Sequence, residues 1–315
     1  METLVQSFFP GRPEFHLLHH GEGIILEVFI SPQPVILKVI SSFHEPSEEL
    51  QARLGWIAFL SRNGLNVPKL VANPQGNWIE QIQEDGKWYT AYAYEEIPIT
   101  DKNVINWKDP TMSVKLGEVM GKMHRLAKTY LLQPGPSGFS HVQNAPWLYN
   151  PAESFHPSQQ AIFGPIIRLG QRIAQFPKNP NIYGLIHDDL HTGNVFSLEG
   201  ELVIIDFDCC LYHWFAADIA SALLFRVWIG PEKEKLRSEA QDFLRGLLQG
   251  YRMQCELPQG WTRMLPDLLK LRELSLYWDY RSFDLKREIE DHLFWYVYDS
   301  IRLERPFLEI DYGKF

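Results

Sequence analysis

Cysteine is scarce in this 315-residue chain, which has three, two of them adjacent at Cys209 and Cys210. A disulfide framework is thereby excluded as the source of stability, and a reducing, cytoplasmic setting is expected. Positive charge is short as well: 30 Lys and Arg stand against 39 Asp and Glu, for a formal net charge of -9. Nucleic acids and anionic membranes are bound through clustered cations, and no basic run occurs, so neither is an expected partner. Long apolar runs are also missing. The most apolar region, 202–225, is interrupted by Asp206, Asp208 and Asp218, and the N-terminal METLVQSFFPGRPEF lacks a basic segment leading into an apolar one. Neither a membrane span nor a signal peptide is expected.

What remains is 45% hydrophobic and 13% aromatic, enough apolar side chain for two sizeable cores and too much for a disordered chain. Polar chemistry gathers in one place. Between Leu185 and Ala222 lie His187, Asp189, His191, Asn194, Asp206, Asp208 and Asp218. Asp189 and Asn194 are set on a loop marked by Thr192-Gly193, and Asp206 follows the apolar run 202–205, a short buried strand entered from the Glu199-Gly200 turn. Phosphoryl transfer needs a carboxylate facing the acceptor hydroxyl and hard oxygen ligands for magnesium, and Asp189, Asn194 and Asp206 supply that set. A hydrolase metal site built on His187 and His191, four apart, is the bland alternative. The Thr-Gly pair, which reads as a loop, and the lack of a further His at ligand spacing oppose it.

The residues His187, Asp188, Asp189, Leu190, His191, Asn194, then Ile205, Asp206, Phe207 resemble the H-G-D-L-H-x-x-N and I-D-F pattern of the aminoglycoside phosphotransferase and choline kinase superfamily, small-molecule relatives of protein kinases. The resemblance implies an α+β, two-lobed protein-kinase-like fold, with a small antiparallel-sheet N-lobe over residues 1–96 and a large, mostly helical C-lobe over 97–315. It implies ATP or GTP and Mg2+ as cofactors, Asp189 as the catalytic aspartate, and Asn194 and Asp206 as metal ligands. Asp208 would help the metal or hold the loop, and Asp218 would brace the catalytic loop through its backbone, with His187 and His191 as structural support. One departure is Asp188, which fills a glycine slot and must adopt whatever backbone geometry glycine allowed there.

The rest of the chain is consistent with that fold. Residues 19–40 read as strand, turn, strand, and Gly21 and Gly23 supply two glycines of a nucleotide-covering loop, with Leu26 where a third would stand. By the resemblance, Lys38 in the second strand meets the nucleotide phosphates. A helix over 47–64 places Leu50, Leu54 and Ile57 on one stripe and stops at Gly64. Where relatives carry the acidic partner of the strand lysine this chain has Arg53, so Glu49, or else Glu48, is the expected substitute. The strands 77–83 and 87–97 close a second hairpin, and the stretch Tyr94–Ile97 is the expected hinge, which places Glu95, Glu96 and Ile97 beside the nucleotide base.

From Thr111 the pattern is helical, with Leu116, Val119, Met120, Met123, Leu126 and Ala127 on a core stripe and His124 packed and satisfied. A long connection over 132–158 would shape a substrate mouth. Helices are expected over 161–176, 218–228, 233–253, 261–281 and 285–302. The aromatic and acidic residues Trp278, Asp279, Tyr280, Trp295 and Asp299 are candidates for a wall receiving a cationic acceptor, although residues at helical spacing are more often core. The expected activity is Mg-dependent transfer of a γ-phosphate to a hydroxyl of a small molecule: an amino alcohol, amino acid, sugar or aminoglycoside-like acceptor. The alternatives are a bacterial Ser/Thr protein kinase of the same superfamily and a non-catalytic nucleotide-binding relative. Either a monomer or a homodimer is compatible with the sequence.

Overall fold

The computed structural model describes residues 2–11, 13–21, 23–30, 33–42, 48–130, 138–142, 145–191, 193–227, 237–283 and 292–315. Pro46, Ser47, Thr192 and the expected helix starts at 233 and 285 lie outside them. The chain forms two compact units: Met1–Val104 with Gln133–Phe139 and Ser197–Asp208, and Ile105–Leu132 with Ser140–Phe196 and Cys209–Phe315. The first unit runs past residue 96 because the 3-10 turn Asp101–Asn103 is tied into it, Asn103 Nδ2 donating to the Ser197 carbonyl at 2.9 Å.

The first unit is built on β1 (Phe15–His20), β2 (Ile24–Val28), β3 (Val35–Ser42), β4 (Leu70–Val71), β5 (Glu80–Glu84) and β6 (Lys87–Glu95). They form an antiparallel sheet in the order β1-β2-β3-β6-β4, with β5 also on β6. The period-two alternation of β3 turns Val35, Leu37 and Val39 to a core shared with Leu4, Val5 and Phe8 of helix α1 (Glu2–Phe8). Lys38 is therefore turned to the opposite face, opposite Tyr92 in the β3–β6 register. The hairpin between β5 and β6 is closed by Asp85 and Gly86, both at positive φ (50° and 74°), the geometry a two-residue hairpin turn requires. Helix α2 (Glu48–Arg62) buries Leu50, Leu54, Ile57 and Leu60 on the expected stripe, and Gly64 ends it at φ 72°.

The second unit contains the helices α3 (Pro110–Tyr130), α4 (Pro146–Tyr149), α5 (Pro151–Ser154), α6 (Phe163–Ala174), α7 (Ala216–Val227), α8 (Arg237–Gln254), α9 (Trp261–Phe283) and α10 (His292–Arg302). On α3, Leu116, Met120, Met123 and Ala127 are buried as expected, while Val119 and Leu126 are only half-buried. Strand β7 (Tyr183–Ile186) pairs antiparallel with β10 (Leu211–Trp214), a strand the sequence reading missed. The run Leu211–Trp214 is four residues long and directly abuts α7, so it showed no separate periodicity. Strands β8 (Val195–Leu198) and β9 (Glu201–Ile204) form the hairpin of the acidic stretch, turning at Glu199 and Gly200 (φ 52° and 86°). No helix among the described residues is long and apolar enough to cross a membrane.

Candidate active site

The motif residues fall into two groups, one in each unit. In the first unit, Lys38 donates to Asp208 Oδ2 and lies 3.9 Å from Asp206 Oδ1. The same Asp208 carboxylate accepts from Arg53 Nη1 at 3.3 Å and from the Tyr92 hydroxyl at 3.2 Å. Burial pushes Asp208 upward, but the charge and hydrogen bond of Lys38, then Arg53 and Tyr92, outweigh it and hold the carboxyl below its usual range. Tyr92 is pushed far up by burial and then by Asp208, so it is a donor at any physiological pH.

The partner expected for Lys38 was Glu49 or Glu48. Its ion partners here are instead Asp208 and Asp206, and Glu49 faces Arg53 at 4.0 Å. Asp206 and Asp208 lie beyond strand β9. The strand ends at Ile204, Asp206 takes a left-handed φ of 62°, and Phe207–Cys209 is a 3-10 turn. Strain of that kind is stored where a side chain must be aimed.

Gly23 sits close against this group: a Cβ there would stand 3.2 Å from the Val39 carbonyl and 3.9 Å from Lys38 Cε. Gly21 donates its N–H to the Gly23 carbonyl at 3.0 Å, closing the tight turn before β2. Leu26, in the slot of a third glycine, is a core residue only 2% exposed. At the hinge, the Glu95 amide donates to Lys69 O at 2.8 Å and the Glu96 amide to Pro34 O at 3.4 Å, so both donors are engaged. Glu95, Glu96 and Ile97 line a cavity of about 430 Å³ with Val67, Leu198 and Val203.

In the second unit, the loop after β7 carries the catalytic candidates. Asp189 Oδ2 accepts from Asn194 Nδ2 at 3.1 Å and lies 3.4 Å from His191 Nε2, while Oδ1 accepts from Arg272 on α9. His191 Nδ1 accepts the Gly193 N–H at 2.9 Å, which leaves the proton on Nε2, toward Asp189. Burial raises Asp189, but the His191 hydrogen bond and then the Arg272 charge more than offset it, and the carboxyl is held ionised. Asn194 Nδ2 also donates to the Asp189 carbonyl at 3.0 Å, which turns the amide nitrogen inward and leaves Oδ1 as the free oxygen donor. In the first unit, Asp206 presents a half-exposed carboxylate, a hard oxygen donor of the kind magnesium takes.

The loop is held from below. Asp218, at the start of α7 and fully buried, accepts the backbone N–H of His187 at 3.1 Å and of Asp188 at 2.8 Å. Its Oδ2 also meets His124 Nε2 at 3.0 Å, and His124 Nδ1 meets the Tyr251 hydroxyl at 2.9 Å. Asp188 adopts φ 65° in the glycine slot, a region Asp enters more readily than most side chains. His187 is fully buried and accepts the Asp189 N–H on Nδ1 at 3.3 Å. Among the described residues no group of three or more His, Cys, Asp and Glu is placed to hold a metal, as a hydrolase site would need.

Arg272 escaped the sequence reading. Its signal was a Lys-Leu-Arg-Glu run inside the apolar helix from Leu268 to Leu274, where Lys270, Arg272 and Glu273 are all nearly or fully buried. Of the acceptor candidates, Trp278, Asp279 and Tyr280 lie on the same helix, and Trp295 and Asp299 lie on α10. Trp278 packs edge-on to Phe155 at 5.0 Å and over Trp147 at 6.4 Å, and Asp299 pairs with Arg302 at 2.8 Å. The side chains of Asp279 and Tyr280 lie outside the described residues.

The chain is similar to known proteins over most of its length. The chain is 27% identical over 273 residues to the amicoumacin kinase of Bacillus subtilis (strain 168), spanning 84% of this chain and 79% of that one. An amicoumacin kinase solved in complex with AMP-PNP, Ca2+ and Ami superposes with a TM-score of 0.88 at 26% identity, covering 99% of this chain and 95% of that chain. A microcompartment-associated aminopropanol kinase has the same fold, with a TM-score of 0.75 at 22% identity and coverage of 95% and 94%. The model of the phosphotransferase enzyme family matches residues 27–266, which span both groups of motif residues, and this chain belongs to that family.

Proposed function

We propose that this phosphotransferase moves the γ-phosphate of ATP to a hydroxyl of a small amine-bearing molecule, with Asp189 facing the acceptor. The observation that carries the reading is the hydrogen-bonded Asp189: Arg272, Asn194 and His191 fix the carboxylate and keep it ionised. An ionised, immobilised carboxylate orients a hydroxyl by accepting its hydrogen bond and takes the proton as the new P–O bond forms. Lys38 neutralises the phosphates, and Asn194 Oδ1 and Asp206 are the ligands assigned to magnesium, which when bound shields the charge moving onto the leaving oxygen. With the Glu95 and Glu96 amides engaged inside the protein, Ile97 is the hinge amide assigned to the nucleotide base.

The acceptor class rests on the relatives, named for amicoumacin and aminopropanol phosphorylation. Turnover of ATP with magnesium across hydroxylated amines, amino acids, sugars and aminoglycosides tests it, with Asp189→Asn alongside. The expected result is turnover on an amino alcohol or amine-bearing acceptor that falls by about 10²–10⁴-fold in the variant, with AMP-PNP affinity retained. Turnover that survives in Asp189→Asn removes the assigned role.

A further inference from the structure

Where the resemblance implies an acid on α2 this chain has Arg53, and the anion that meets Lys38 comes from elsewhere in the cluster. Lys38, Arg53 and Tyr92 all converge on Asp208, so one of its oxygens accepts from Lys38 and the other from both Arg53 and Tyr92. Asp206, by contrast, has one long ion contact, at 3.9 Å, and is half-exposed, 50% against 35% for Asp208. Arg53 Nε is buried with no hydrogen-bond partner among the described residues, and of the two carboxylates the guanidinium meets, Asp208 at 3.3 Å is nearer than Glu49 at 4.0 Å.

A carboxylate has about four lone-pair sites, and three of those on Asp208 are filled by cations or a buried phenol. Recruiting it to a metal would take the shared anion from Lys38 and Arg53 and leave them the longer contacts to Asp206 at 3.9 Å and Glu49 at 4.0 Å.

We infer that Asp208 is the resident counter-ion and positioning residue of Lys38. It does from the acidic segment what a helix carboxylate would do from α2, and Asp206 is left as the metal-facing member of the pair. The charge polarity is thus inverted: the helix supplies a cation, and the segment after β9 supplies the anion. The inference rests on Lys38 and Asp206 holding the roles proposed above.

The test uses the full chain, first free of metal and nucleotide. Asp208→Asn is expected to lower the thermal midpoint by about 3 °C or more, because two cations lose their anion. Asp206→Asn is expected to leave the midpoint unchanged or raise it, since it removes one of two neighbouring carboxylates.

In AMP-PNP binding at varied magnesium, Asp208→Asn should keep the half-saturating magnesium within about two-fold, whereas Asp206→Asn should raise it about ten-fold or more. The double variant Arg53→Glu, Asp208→Asn returns a carboxylate to Lys38 from the helix and is expected to recover the midpoint. That recovery decides the matter even if Asp208→Asn alone fails to fold. If Asp208→Asn leaves the metal-free midpoint unchanged and raises the magnesium requirement as Asp206→Asn does, or if the double variant recovers nothing, the inference is overturned. A wild type that does not bind AMP-PNP sinks the nucleotide reading, while the metal-free midpoints still decide the counter-ion.

Discussion

Arg272 shows how much of this chemistry depends on one side chain. Its guanidinium meets Asp189, lies 4.0 Å from Asp188 Oδ2, and sits 5.3 Å over the Phe225 ring, a planar environment that an ammonium group would not satisfy. Arg272→Lys is therefore expected to lower kcat by about 10-fold or more, since misplacing a positioned group by about 1 Å carries a cost of that order and larger. Steady-state kinetics beside AMP-PNP binding checks this: a fall confined to nucleotide affinity would contradict it. Asp188 is a second position where the residue and not the motif sets the geometry. Its left-handed backbone directs its N–H to Asp218 at 2.8 Å, so the glycine slot is kept as a conformation although the glycine is gone.

At the scale of elements, the support beneath the catalytic loop depends on how closely α3 and α8 approach. A Cβ on Gly117 would collide with the Leu247 carbonyl, and one on Gly250 with the Val114 carbonyl. Both obstacles are backbone, which cannot swing aside, so the helices can meet this closely only through glycine. That approach brings Tyr251 to His124, and His124 to Asp218. Gly250→Ala is expected to destabilise by about 1–3 kcal/mol, as overpacking does, despite the better helix propensity of alanine. Urea denaturation checks the sign: a more stable variant would mean the two helices separate at no cost. Because the chain from α8 to the loop is continuous, turnover is expected to fall with stability in this variant.

At the scale of the whole molecule, acid sensitivity is expected from a histidine outside the catalytic motif. His213 on β10 is 2% exposed, its Nδ1 accepts the Trp214 N–H at 2.7 Å, and burial, then the Arg272 charge, outweigh Asp218 and push its pKa down to about 3. The unfolded chain protonates this imidazole near pH 6.5 and the folded one does not, so stability is lost as pH falls through the window from about 6.5 to about 3. Between pH 7 and pH 5 the loss from this residue is about 2 kcal/mol. Urea transitions at pH 7, 6 and 5, compared with His213→Asn, whose amide oxygen can still accept the Trp214 N–H, would show it: the variant should lose that part of the slope. Asp218, held low by His124 despite its burial, adds a further loss only at the acid end, as pH falls below the ordinary carboxylate range.

Local pattern was enough to read the hairpins and the α2 and α3 stripes, because periodicity and turn chemistry act over a few residues. The same letters could not reveal the short β10, whose antiparallel partner, β7, lies some 25 residues away in sequence, nor the aromatic packing that takes Trp278 into contact with Phe155. Ion pairing was the least legible part. Lys38 and Asp208 are 170 residues apart, and Asp189 and Arg272 are 83 apart. Composition and order therefore determined the fold class and the chemistry available. The choice of partner for each buried charge was decided only by tertiary structure, because a buried ion is stabilised by whichever opposite charge folding brings within a few ångströms, however distant in sequence.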